Sequence, residues 1–142
     1  MELASRGINM QVLNCVRCGY VEESVDHLLA GCIMARSIWW HLFVWVKIPM
    51  PPNLNTLNDI FEVLKSAPGC KKWKKIVHIA AMATVWRIWN ARNLRIFEGK
   101  SMTTSSIVEL IKEDTYTWVS HRTNLPARPW NNWVNFDVAS ML

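Results

Sequence analysis

Apolar positions recur at helical spacing along most of the chain and divide it into segments. Ile38, Leu42 and Trp45 share one side of a stretch from Ile33 to Val46. Pro49, Pro51 and Pro52 end that stretch, because proline lacks the N–H donor and clashes with the turn before it. After a loop to Asn55, Thr56 or Asn58 is placed to cap a short helix running to about Lys65, which Pro68-Gly69 breaks. Ile76, Ile79, Ala80, Ala83 and Trp86 predict a long helix over 71–98, with Gly99 as its C-terminal cap. On the same helix Trp86, Trp89, Asn93 and Phe97 follow as a second stripe at steps of three, four and four, of which Trp86, Trp89 and Phe97 are expected to be core. A last helix runs from about Thr104 to His121, with Ile107, Leu110, Ile111, Tyr116 and Trp118 on its apolar side. The tail from Asn124, with Pro126, Pro129, Trp130 and Trp133, reads as an extended strap across the helices.

The alternation needed for a sheet is too sparse anywhere in the chain. The expected fold is therefore mainly α: a small metal-stapled knuckle followed by a bundle of about four helices. Residues 1–48 make a zinc-binding module with its following helix, and residues 49–142 a helical C-terminal region that contains the basic, Trp-rich helix. An apolar share of 51% in 142 residues is enough to build a core and argues against a disordered chain. Nine Trp residues bring large apolar area, expected mostly in packing seams. No membrane span is expected. The most apolar run, from Ser37 to Ile48, includes His41 and Lys47 and falls short of the ~20 apolar residues a span needs.

The N-terminal third carries the most specific chemistry. Cys15, Cys18, His27 and Cys32 stand in a Cys-x2-Cys-x8-His-x4-Cys pattern, a donor set and spacing that suit one tetrahedral zinc ion. Gly19 follows the second thiol, where a tight turn calls for positive φ. Glu22-Glu23-Ser24 reads as a helix start that would carry His27, with Cys32 just beyond its end, after Gly31. The competing readings are disulfides, or buried thiols beside an unrelated histidine. Disulfides call for an oxidising compartment, whereas Met1-Glu2-Leu3-Ala4-Ser5-Arg6 lacks the apolar centre of a secretory leader. The expectation is a nuclear or cytoplasmic protein, not a secreted one. Cys70 lies outside the spacing and reads as a packed or free thiol, and His41, His78 and His121 as packing or surface residues.

The net charge of +5 is unevenly distributed. Residues 71–100 hold eight Lys or Arg against one acid, while the remainder is close to balanced. Such clustering marks a phosphate-binding surface or, equally, a solvated helix face. The candidate phosphate contacts are Lys71, Lys72, Lys74, Lys75, Arg92 and Arg95, with Arg17 inside the knuckle. Arg92 and Asn93 have a second reading, as a tie between the long helix and the C-terminal strap. Trp73 among the lysines is a candidate for stacking on unpaired bases.

At this point the residues resemble a known family. Leu3-Ala4-x-Arg6-Gly7-Ile8, the Cys-Cys-His-Cys set, Glu23-Ser24 with His27-Leu28, and Ala35 with Ile38-Trp39 resemble the reverse-transcriptase zinc-binding domain of plant non-LTR (LINE-type) retrotransposon polyproteins. Ile88 to Phe97 is similar to a helix that follows in those proteins, and Trp118 to Trp133 to their C-terminal ending. The resemblance implies one structural zinc and a role in holding template RNA or target DNA beside an RNA-directed DNA polymerase. The polymerase core, with its magnesium-binding aspartates, has no counterpart in this sequence, so the chain by itself is expected to bind without catalysing. The other class of function is a protein-interaction or structural remnant that docks on the upstream reverse-transcriptase domain or self-associates, and a non-functional gene fragment is a further reading. Lone histidines without a paired acid or nucleophile do not make an active site, and four zinc ligands leave no open position.

Overall fold

The structure, a computed structural model, describes Cys15, Gly19 and residues 23–122. Four α-helices follow one π-helical turn: α1 (Ile33–Val46), α2 (Leu57–Ser66), α3 (Lys71–Glu98) and α4 (Thr104–Arg122), with the turn at His27–Gly31. No strand occurs among the described residues. The expected strap from Asn124 and the Leu3–Ile8 segment lie outside them.

Each helix boundary has a local cause. At the end of α1, Ile48 N–H donates to the Phe43 carbonyl and Lys47 N–H to that of Val44, the paired bonds of a Schellman cap. The motif requires a left-handed residue, and here Lys47 occupies it at φ 63°. Helix α2 opens on a capping box. Thr56 Oγ1 accepts from Asp59 N–H at 3.1 Å, and the Asp59 carboxylate accepts from Thr56 N–H at 3.2 Å. Gly99 ends α3 at φ 67°, where any other residue type would be strained.

Helices α3 and α4 form the most extensive pairing, and α1 packs against both. Helix α2 lies on α3 and also touches the π turn. The side of α3 turned to its neighbours carries Ile76, Val77, Ala80, Ala81, Ala83, Thr84, Ile88 and Ala91. The alanines let backbones approach, while Ile38, Trp39, Phe43, Ile60 and Ile88 fill the space between helices with almost no exposure. Two hydroxyls in this core are satisfied within their own helices: Thr84 Oγ1 donates to the Ala80 carbonyl and Thr115 Oγ1 to that of Ile111. A bidentate pair, Arg87 to Asp114 at 2.5 and 2.8 Å, clamps α3 to α4 at the edge of the core.

The second stripe of α3 does not join this core. Trp86, Trp89 and Phe97 are 51%, 40% and 71% exposed. The expectation of a buried stripe is corrected: the neighbouring helices take the alanine-rich side of α3, and the bulky rings are left facing outward.

Candidate metal centre

The π turn explains how two ligands five residues apart reach one point. On a regular α-helix, His27 and Cys32 would sit roughly 140° apart around the axis. Instead Cys32 N–H donates to the His27 carbonyl at 2.6 Å, a bond to the fifth residue back rather than the fourth. The widened turn carries Cys32 round to the side of His27. Ser24 starts the turn, with its hydroxyl accepting from His27 N–H at 3.1 Å. Cys32 then serves as the N-cap residue of α1.

Cys15 arrives from the preceding segment, where Gly19 N–H closes a turn onto the Cys15 carbonyl at 2.8 Å. Gly19 adopts φ 72°, the left-handed geometry expected after the second thiol. The result brings Cys15, His27 and Cys32 together, with their ligand atoms all within 4.8 Å of one another. These three residues form a group that can hold a metal ion. Cys18, the expected fourth ligand, and Arg17 lie outside the described residues.

The two thiols are not joined as a disulfide: Cys15 donates a hydrogen bond to the Cys32 sulfur, at a spacing that two ligands of one metal ion would also adopt. The Cys15 and Cys32 sulfurs are 3.7 Å apart. A disulfide would bring them to about 2.05 Å. Two sulfurs each about 2.3 Å from a tetrahedral zinc would stand roughly 3.8 Å apart. Cys15 and Cys32 are both buried, and His27 is half-buried. Burial pushes the Cys32 thiol up to about 11, and the neighbouring Cys15 adds to the rise, while the Met34 and Ala35 amides in the first turn of α1 pull the other way. A buried thiol raised in this way, as Cys32 is, gives up its proton readily to a bound cation.

Residues flanking the ligands tie the turn to every helix it touches. The Asp26 carboxylate accepts from Leu57 N–H at 3.2 Å, at the start of α2. Trp39 Nε1 on α1 donates to the Leu29 carbonyl at 2.6 Å. Glu23 accepts two hydrogen bonds from the Arg92 guanidinium on α3, from Nη2 and from Nε. In the sequence Glu23 reads as part of a helix start and of the family resemblance but not as an ion-pair partner, and Asp26 carries no signal, because both partners lie far along the chain.

The expected phosphate contacts fall into different settings. Lys71, Lys72, Lys74 and Lys75 are all exposed on the first turns of α3. Trp73 among them is half-buried and packs on Gly69, where an added Cβ would lie 2.2 Å from the indole. Arg95 is exposed and donates to Ser101 Oγ at 2.6 Å. Arg92 departs from the expectation of a phosphate contact: it is 6% exposed, with its guanidinium on Glu23 and over the Trp89 ring, so its charge is spent inside the fold. Cys70 is a free, exposed thiol at the N-cap of α3, away from the ligand cluster. No described helix is long and apolar enough to cross a membrane.

Comparison of the chain with protein-family models, with curated proteins and with solved structures finds no match.

Proposed function

We propose that this chain is a zinc-stapled nucleic-acid-binding module, of the kind that accompanies the reverse transcriptase of non-LTR retrotransposons. The observation that carries the reading is the charge of α3. The helix has seven Lys or Arg and a single acid, Glu98 at its last position, a balance of +6 against +5 for the whole chain. Arg87 and Arg92 are neutralised by Asp114 and Glu23, which leaves the four exposed lysines and Arg95 turned toward solvent. Lysines at a helix N-terminus oppose the helix dipole, so this arrangement costs stability unless an anion relieves it.

Zinc would be held by Cys15, His27 and Cys32 together with Cys18, and would supply structure, not chemistry. Closing that site fixes the π turn and, through Glu23, Asp26 and Leu29, the helices that present the lysines. The ligand is RNA or DNA, met through its phosphates, with affinity that falls steeply as salt rises. On this reading the chain works beside an upstream reverse-transcriptase domain, inside the cell, and binds without catalysing.

The test is zinc stoichiometry on the purified chain, with binding of single-stranded RNA measured at two salt concentrations on the same sample. One zinc per chain and strongly salt-dependent binding support the module. One zinc with no binding leaves a structural unit whose partner is protein. Absence of zinc removes the basis of the reading.

A further inference from the structure

The outward face of α3 forms one continuous stripe. Lys71, Lys75, His78, Met82, Trp86, Trp89, Asn93 and Phe97 succeed each other at steps of four, three, four, four, three, four and four, which keeps them on one side of the helix over roughly 39 Å. All are exposed except Asn93, which is half-buried. The stripe begins with the lysines and continues as rings. No carboxylate of α3 itself lies on it, because the helix has none before Glu98, and Glu62 of α2 borders it beside Lys74 and His78. Arg92 lies over the Trp89 ring, 5.0 Å from its centroid, and is itself fixed by Glu23, so that indole is held in place from beneath.

We infer that this stripe is a stacking face for single-stranded nucleic acid, with Trp86 and Trp89 receiving unpaired bases and Lys71, Lys75 and their neighbours Lys72 and Lys74 receiving the phosphates that lead up to them. The inference rests on the nucleic-acid reading above and narrows it to unpaired strands. Charge decides the occupant. A protein or second-copy partner would find an apolar band with cations at one end and a single bordering carboxylate, Glu62, to pair with its own basic groups. A polyanion with exposed π-faces complements both halves of the stripe. A duplex keeps its bases stacked on each other and would use the lysines alone, whereas an unpaired strand uses the rings as well.

The experiment measures binding of an unpaired RNA of about 12 nucleotides, and of a duplex of the same sequence, to the full chain loaded with zinc. Trp86→Ala is compared with Trp86→Tyr, and with a variant in which Lys71, Lys72, Lys74 and Lys75 are all Gln. Trp86 is on the surface, so circular dichroism should report an unchanged fold for both single variants. The expected result for Trp86→Ala is a loss of about 5- to 150-fold in single-strand affinity, little change on the duplex, and an unaltered salt slope. Trp86→Tyr keeps a π-face and restores most of the affinity, and the lysine variant flattens the salt slope on both ligands. Wild-type single-strand affinity in Trp86→Ala, with binding still dependent on the lysines, overturns the stacking face and leaves the module reading standing. Salt-insensitive self-association that Trp86→Ala abolishes assigns the stripe to a protein contact and overturns the inference. Failure of every form to bind either nucleic acid overturns the module reading itself.

Discussion

Glu23 and Arg92, 69 residues apart in sequence, form a two-pronged ion pair whose side chains are only 6% and 7% exposed. It joins the segment leading into the metal-binding turn to the C-terminal third of the longest helix. Breaking a buried pair from one side leaves the other charge unsatisfied, at about 3–5 kcal/mol. Arg92→Ala should therefore lose stability of that order in urea unfolding. Glu23→Leu combined with Arg92→Met should recover most of it, since an apolar pair of similar volume carries no desolvation penalty. Additive single effects in the double-mutant cycle would mean that the pair is not the tie between turn and helix.

The thiols divide into two kinds by position. Cys15→Ser and Cys32→Ser should each abolish stoichiometric metal binding and lower the helicity recovered after refolding, because metal-binding free energy becomes folding free energy in such turns. Cys70→Ser, at an exposed cap remote from the cluster, should bind metal as the parent does. Metal analysis after dialysis distinguishes them, and an equal loss in all three variants would defeat the assignment.

Asp59 gives α2 a pH dependence. The hydrogen bonds between its carboxylate and Thr56, helped by the Asn55 amide, hold it below the usual carboxylate range. A carboxyl whose folded value is depressed contributes stability above its unfolded value of about 3.9, and that contribution disappears as pH falls through the folded value. The stability gap between the parent and Asp59→Asn should be largest near neutral pH and shrink in acid below about pH 3.9. A gap independent of pH would show that the carboxylate's charge has no part in the cap. Thr56→Ala should cost about 0.5–2 kcal/mol, as N-cap truncations do.

Lys47 is the one non-glycine residue with positive φ among the described residues. Left-handed geometry costs an L-residue about 1–2 kcal/mol, and glycine returns part of that gain as extra freedom in the unfolded chain. Lys47→Gly should raise stability by about 0.5–1 kcal/mol, visible as a higher melting temperature. A fall would show that the Lys47 side chain contributes more than its backbone strain removes.

The helices were legible because punctuation frames them. Prolines stop α1, Thr56 and Pro68-Gly69 bracket α2, Gly99 closes α3, and the interiors carry clean periodicity. The fold class follows from those elements, and three of the four expected metal ligands meet in space. What periodicity does not report is which of two stripes a helix buries. On α3 the small side chains face the neighbouring elements and the large rings face out, against the rule of thumb that the biggest apolar residues go inside. Pairing across long separations was equally hidden. Nothing near Glu23 points to Arg92, so in the sequence this buried arginine reads as a phosphate contact or a tie to the C-terminal strap and not as the partner of Glu23.

The bond from Cys32 N–H to the fifth residue back makes the four-residue spacer between His27 and Cys32 a matter of counting. Insert one residue there and an ordinary helical turn would still satisfy its backbone, yet the two ligands, then six apart, would sit roughly 120° from one another and fall out of step. Which residues can stand in that spacer is limited separately by packing, since Leu28, Leu29 and Ala30 are all buried. The length of the turn answers to the ion and its residue types to the core, two constraints laid on the same few positions.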